Sequence, residues 1–179
     1  MNDDLILSAT SSEVGTKTLL IIRHAKSSWD ISTLNDFDRP LNERGKKDAP
    51  MMANRLLSKK IPIDAFVSSP AKRAKKTAEI FCEEYGKSDD ALIYLSMLYN
   101  APFEVFYEAL ANLDDAYKTI ALFSHNPGIT DFVNTLTDGV RIDNMPTCGV
   151  FAVKVSINKW ADIKKGKKDF LFFDYPKLT

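Results

Sequence analysis

The stretch Thr18-Leu19-Leu20-Ile21-Ile22-Arg23-His24-Ala25-Lys26-Ser27-Ser28-Trp29-Asp30 decides how the chain is read. Thr18 to Ile22 is a short apolar run rich in β-branched residues, the pattern of a strand buried on both faces of a parallel sheet. Arg23 and His24 follow it without a break. In an open α/β sheet the ends where strands exit are where ligands bind, so a cation and an imidazole carried there by a rigid strand can hold and attack an anion. An isolated Arg-His pair is more often a surface charge beside a hydrogen-bonded loop residue; what shifts the balance lies further along the chain.

Downstream, Ala25–Arg39 forms a long polar loop that carries Asp30, Asp36, Asp38 and Arg39. A loop of that length at a strand exit points to function. Pro40-Leu41-Asn42-Glu43 opens a predicted helix with Asn42 as N-cap. It runs to about Lys59, has Met51, Met52, Leu56 and Leu57 on its apolar side, and is expected to kink or break at Pro50. A second strand is predicted at Ala65–Ser68. Ser69-Pro70 then reads as an N-cap with proline at the first helical position, and the helix continues to about Tyr85. Arg73 falls near the positive end of that helix, a favourable place to bind an anion; beside Lys72, Lys75 and Lys76 it reads equally well as a solvent-facing charge. Leu92–Leu95 is a third strand and Pro102–Leu110 a helix.

Thr119-Ile120-Ala121-Leu122-Phe123 repeats the opening pattern and ends in Ser124-His125-Asn126-Pro127-Gly128. A helix at 129–136 follows, then two strands at Gly149–Ile157 and Phe170–Asp174, expected as a hairpin whose connection holds Lys164-Lys165-Gly166-Lys167-Lys168.

Bulk properties narrow the field. A chain of 179 residues with 45% hydrophobic content reads as a single domain over 17–179 behind a loose polar leader at 1–16. The 24 basic and 24 acidic residues balance, so nothing draws the whole surface toward nucleic acid or an anionic membrane, and any anion site is local. Two cysteines, Cys82 and Cys148, make no disulfide scaffold. Two histidines and no paired cysteines give poor support to a zinc site, while the plentiful Asp and Glu leave a carboxylate Mg²⁺ site open; the chemistry read from the histidines below requires no metal or cofactor. The first residues lack the basic and apolar regions of a signal peptide and no run is long enough to span a bilayer, which makes a cytoplasmic enzyme the expectation.

Each of the two histidines follows a hydrophobic strand. If those strands are parallel neighbours, His24, Arg23, Arg73 and His125 meet at one sheet edge. The chemistry that suits such a cluster is phosphoryl transfer: a neutral imidazole attacks phosphorus, guanidinium forks hold the oxygens, and a second imidazole stabilises the spread charge.

Leu20-Ile21-Ile22-Arg23-His24-Ala25-Lys26-Ser27 resembles the Arg-His-Gly signature of the histidine phosphatase superfamily, with its phosphoglycerate mutase-like fold. Ser68-Ser69-Pro70-Ala71-Lys72-Arg73-Ala74-Lys75-Lys76-Thr77-Ala78 is similar to that family's Ser-Ser-Pro…Arg…Thr-Ala segment, Ser124-His125-Asn126-Pro127 to its late histidine motif, and Asp38-Arg39-Pro40-Leu41 with Glu43-Arg44-Gly45 to the segment before its first helix. Within the superfamily the form of these segments is most similar to the SixA-type phosphohistidine phosphatases. The resemblance implies a three-layer α/β/α sandwich around a mostly parallel sheet. It implies His24 as the nucleophile that becomes phosphorylated, and Arg23, Arg73 and His125 as the phosphate pocket. Arg39, Asn126 and Ser27 are candidate substrate contacts, Arg39 being as well placed to pair with Asp36 or Asp38.

Three departures from the family pattern matter, the first being Asp30, which stands where phosphoglycerate mutases have an asparagine that helps hold phosphate and is expected to point away from an anion it would repel. Ala25 stands where the signature has glycine, and Leu95–Asn100 carries no carboxylate where many relatives have a general acid; Glu104 is the nearest. An alkyl phosphate needs such an acid, worth roughly 10²–10⁴-fold, whereas a phosphohistidine leaving group can be protonated without one. The expected substrate is therefore phosphohistidine in a protein. A small phosphoester handled by the same mechanism is the alternative, and a non-catalytic phosphate-binding module a third reading.

Overall fold

A computed structural model of the chain describes residues 14–29 and 35–178. Six strands form one sheet in the order β3-β2-β4-β1-β5-β6. They are β1 (Thr16–Arg23), β2 (Ala65–Ser68), β3 (Leu92–Tyr94), β4 (Thr119–Ser124), β5 (Val150–Ser156) and β6 (Lys167–Asp174). The first four run parallel, and β5 and β6 are antiparallel to their neighbours. The helices are α1 (Glu43–Ser58), α2 (Lys72–Glu84), α3 (Phe103–Ala111) and α4 (Gly128–Leu136).

Side chains alternate across the sheet because strand residues point to opposite faces in turn. Leu19, Ile21, Val67, Ile120, Leu122 and Phe151 pack on one face with Phe106, Leu110, Phe132 and Val133 of α3 and α4. Leu20, Ile22, Phe66, Ala121, Phe123 and Val150 pack on the other with Ala49, Met52, Leu56 and Phe81 of α1 and α2. The molecule is thus the expected three-layer sandwich. Both faces of β1 are covered, and this is why its sequence is continuously apolar rather than alternating. Neighbouring β1 and β4 are followed by helices on opposite faces, so the crevice at their exits is a topological switch point, the usual ligand position in such sheets.

Several elements differ in detail from the reading of the sequence. Pro50 does not break α1: the helix runs through it, held to the sheet by Gly45, Ala49, Met52, Ala53 and Leu56 on one stripe. Met51 lies outside that stripe, on the exposed side. Asn42 is the N-cap, its side-chain oxygen accepting from the Gly45 N–H at 2.9 Å, a contact typically worth about 1 kcal/mol. Ser69 is not the cap of α2, which starts at Lys72 after Ala71 and has no side-chain cap. Strand β6 begins at Lys167, so the lysine-rich run is turn only as far as Gly166. Strand β1 includes Thr16, which the leader had claimed; the rest of the leader up to residue 13, and Asp30, lie outside the described residues. No helix among the described residues is long and apolar enough to cross a membrane.

Candidate active site

Three parallel strands deliver the site. In the β1–β4 register Arg23 stands opposite Ser124, and in the β2–β4 register Ser68 stands opposite Phe123. The residues just past those positions are therefore neighbours: the His24 N–H donates to the Ser124 carbonyl at 3.1 Å and the Ser69 N–H to the Phe123 carbonyl at 3.1 Å. The rings of His24 and His125 lie 5.2 Å apart, centroid to centroid. Arg73 reaches them from the first turn of α2, its Nε donating to His24 Nε2 at 3.2 Å. A cavity of about 420 Å³ opens here, lined by Arg23, His24, Ser27, Arg39, Arg73, His125 and Asn126 among others. Every side chain singled out from the sequence for this chemistry thus borders one space. A roomier groove of about 520 Å³ lies elsewhere, between α2 and the β3 edge, and neither histidine lines it.

Two close backbone approaches shape the crevice walls. A Cβ on Gly45 would stand 2.1 Å from the Lys26 carbonyl oxygen, and one on Gly128 would stand 1.8 Å from that of Ala101. Both helices seat against the loops only because these positions are glycine. Ala25 needs no such freedom. Among the described residues the non-glycine positions with positive φ are Lys60, Asn100 and Cys148, so alanine satisfies the backbone where the family signature has glycine. The Ala25 N–H donates to Thr77 Oγ1 at 3.0 Å, and that hydroxyl donates to the Arg73 carbonyl at 2.7 Å. Thr77 thus ties the β1 exit to the turn that carries Arg73.

His24 Nδ1 lies 2.7 Å from the Ala25 carbonyl. A carbonyl only accepts, so Nδ1 carries the proton and the Nε2 lone pair faces Arg73. Burial holds the His24 pKa well below 6.5, and the nearby His125, Arg73 and Arg23 act in the same direction against one raising contact from the Ala25 backbone. Burial, then Arg73, lowers His125 to about 3. Both rings are neutral at physiological pH. His125 Nε2 shares a 2.8 Å hydrogen bond with the Ser69 hydroxyl. Among the described residues, His125 Nδ1 and Arg23 Nε are buried without a hydrogen-bond partner, whereas Arg23 Nη1 donates to the Met145 carbonyl at 2.7 Å.

Sequence reasoning missed several residues here. Asp36 accepts from Arg73 Nη2 at 2.9 Å, from Arg39 Nη1 at 2.8 Å and from the Tyr99 hydroxyl at 2.9 Å. Burial alone would raise its pKa, but those bonds from Tyr99, Arg39 and Arg73 bring it down to about 2. Tyr99 also borders the cavity, as does Trp29, which the sequence offers as a packing or pocket-wall residue. Of the two alternatives for Arg39, the pairing with Asp36 is seen; the guanidinium also donates to Ser27 Oγ at 2.6 Å and lies 3.2 Å from the centre of the exposed Trp29 ring. Asn126 is held by Thr130, Met145 and Asn144, and Glu104 is not among the residues bordering the cavity. Among the described residues no group of three or more His, Cys, Asp or Glu side chains is placed to hold a metal. The signals for Asp36 were its acidity and its place in a long polar loop; Tyr99 gave none, because an aromatic after a short strand reads as packing.

The part of the chain that carries Arg23, His24 and Arg73 is similar to the histidine phosphatase superfamily, and the fold is similar to that of phosphohistidine phosphatases. Residues 19–94 match the family model for the histidine phosphatase superfamily (branch 1). An uncharacterized protein of Mycobacterium tuberculosis (strain H37Rv) is 28% identical over 165 residues, spanning 87% of this chain and all of that one. A 2,3-bisphosphoglycerate-dependent phosphoglycerate mutase of Bartonella quintana is 36% identical over 46% of this chain and 41% of its own. In three dimensions the chain is similar to the putative phosphohistidine phosphatase SixA of Agrobacterium tumefaciens. The TM-score is 0.72 at 22% identity, over 89% of this chain and 98% of that one. It is also similar to the protein histidine phosphatase SixA complexed with tungstate, with a TM-score of 0.74 at 23% identity over 89% and 97% of the two chains. At these identities the structural likeness establishes the fold.

Proposed function

We propose that the protein removes phosphate from phosphohistidine in a protein substrate through a phosphorylated His24. The carrying observation is the hydrogen bond from Arg73 Nε to His24 Nε2, which sets a guanidinium on the one lone pair of a buried, neutral imidazole, where a phosphoryl group can displace it. In this mechanism His24 Nε2 attacks phosphorus while its Nδ1 proton stays on the Ala25 carbonyl. Arg73 and Arg23 hold the phosphoryl oxygens with their planar forks, and His125 stabilises the charge that spreads onto them in the transition state. Water then releases phosphate from His24. Ser27, Arg39 and Asn126, which also line the cavity, contact the substrate.

Two observations favour phosphohistidine over an alkyl phosphate. The cavity's carboxylate, Asp36, is ionised and cannot serve as a proton donor at neutral pH. Trp29, 72% exposed, lies at the rim, where a protein surface can reach it. The test is turnover of a phosphohistidine-bearing phosphotransfer domain beside a panel of sugar and nucleotide monophosphates. The expected result is faster turnover of the phosphoprotein, together with an acid-labile phosphoryl label that vanishes in His24→Ala. A strong preference for an alkyl phosphate would move the reading to a small-molecule phosphatase.

A further inference from the structure

Asp36 is a carboxylate inside a site built for an anion. Outward from His24 Nε2 the order is Arg73 Nε, Arg73 Nη2, then Asp36 Oδ2, with the Tyr99 hydroxyl on that same oxygen. The Arg73 side chain is 5% exposed and that of Asp36 43%. Asp36 therefore stands at the outer end of the guanidinium, on the side away from the nucleophile, where the departing part of a substrate must lie. Among the described residues bordering the cavity it is the only carboxylate. Its charge is secured by bonds from three separate side chains. A phosphate that claims the Arg73 fork takes one of those partners and leaves Asp36 with accepting capacity facing the leaving group.

We infer that Asp36 determines specificity: its carboxylate favours phosphoryl donors whose leaving group presents an N–H, as a ring-protonated phosphohistidine does, and disfavours donors whose leaving group bears a carboxylate. The inference rests on His24 as the nucleophile and deepens that reading by naming what selects the leaving group. In the transfer, the P–N bond of the donor breaks and its electron pair returns to the donor nitrogen, while a P–N bond forms to His24 Nε2. The donor ring enters protonated by solvent on the nitrogen that does not carry phosphorus; that N–H donates to Asp36 and remains on the ring throughout. The ring departs as neutral imidazole, and no acid has to deliver a proton.

The experiment compares kcat/KM for phosphohistidine, phenyl phosphate and 3-phosphoglycerate in the wild type and in Asp36→Asn. The variant should lower the ratio of phosphohistidine to 3-phosphoglycerate by about tenfold or more, the scale of one close charge at a half-exposed position, with phenyl phosphate in between. A uniform fall for all three donors would overturn the inference, because it is what loss of a mere anchor for Arg73 and Arg39 produces. A readout without any variant is inhibition of the wild type by two phosphonates. Aminomethylphosphonate should bind more tightly than phosphonoacetate, and the reverse order would also overturn the role. A wild type that forms no acid-labile phosphoenzyme would remove the nucleophile and this inference together, whereas a labelled enzyme with uniform scaling would remove only Asp36.

Discussion

The exits of β1 and β4 carry the same sequence pattern, an apolar strand and then a histidine, yet they are built differently. At the β1 exit His24 has its Nδ1 proton fixed on the Ala25 carbonyl and its Nε2 turned to Arg73. At the β4 exit His125 has the opposite nitrogen occupied, Nε2 on the Ser69 hydroxyl, and its Nδ1 has no partner among the described residues. A backbone carbonyl admits one tautomer; a hydroxyl can give or take and admits both. The first exit suits a nucleophile, which needs one lone pair held in place. The second suits a group that responds to charge appearing beside it. The role of a strand-end histidine is set by what its far nitrogen meets.

Substitution separates the two exits most sharply. His24→Ala should lower turnover on the order of 10⁴-fold or more and abolish the phosphoenzyme. His125→Ala should slow the reaction by about 10²–10³-fold, the scale of removing one transition-state donor, while the labelled enzyme can still be trapped. Equal losses with no label in either variant would break the distinction. Arg73 serves both exits. Replacing it with lysine removes the fork that meets His24 and Asp36, at about 1.5–3 kcal/mol for each lost charge-assisted bond, read as a fall in kcat/KM. Wild-type kinetics in Arg73→Lys would mean that the two exits do not share a clamp.

A separate effect is expected on acid stability. His125 titrates near 6.5 in the unfolded chain and at about 3 in the folded protein. Between those values the unfolded state binds more protons, so stability falls as pH drops from 6.5 toward 3. His24 shifts in the same direction and adds to the loss. Denaturant midpoints across that range should fall in the wild type and fall less in a His125→Asn variant.

Much of this was legible in the sequence because the strands are short, apolar and followed at once by their chemistry. The strand rule put Arg23, His24 and His125 at strand exits and the helix after β2 put Arg73 near another; that they act together was read from the second histidine and the family-like segments. Asn42 declared itself as a cap. The rest depended on contacts between segments distant in the chain. Pro50 was expected to interrupt α1, but packing along the Ala49–Leu56 stripe carries the helix past it. Ser69 has the right chemistry for a helix cap, and tertiary structure gives its hydroxyl to His125 instead. Asp36 and Tyr99 lie 63 positions apart and meet only in three dimensions, so no local pattern joins them. Thr77 was quoted within a motif, but its link from Ala25 to Arg73 appears only when α2 is laid against the β1 exit.

The turn before β5 reaches back into the crevice. The Met145 carbonyl receives Arg23 and Asn126, and the Cys148 amide donates toward the carbonyls of Arg23 and His24. The antiparallel half of the sheet is therefore mechanically joined to the chemistry it stands apart from. An engineer who cuts or permutes the chain should find new termini tolerated in the β5–β6 turn, near Lys164, and damaging between Asn144 and Gly149, where a break would loosen the floor beneath both catalytic candidates.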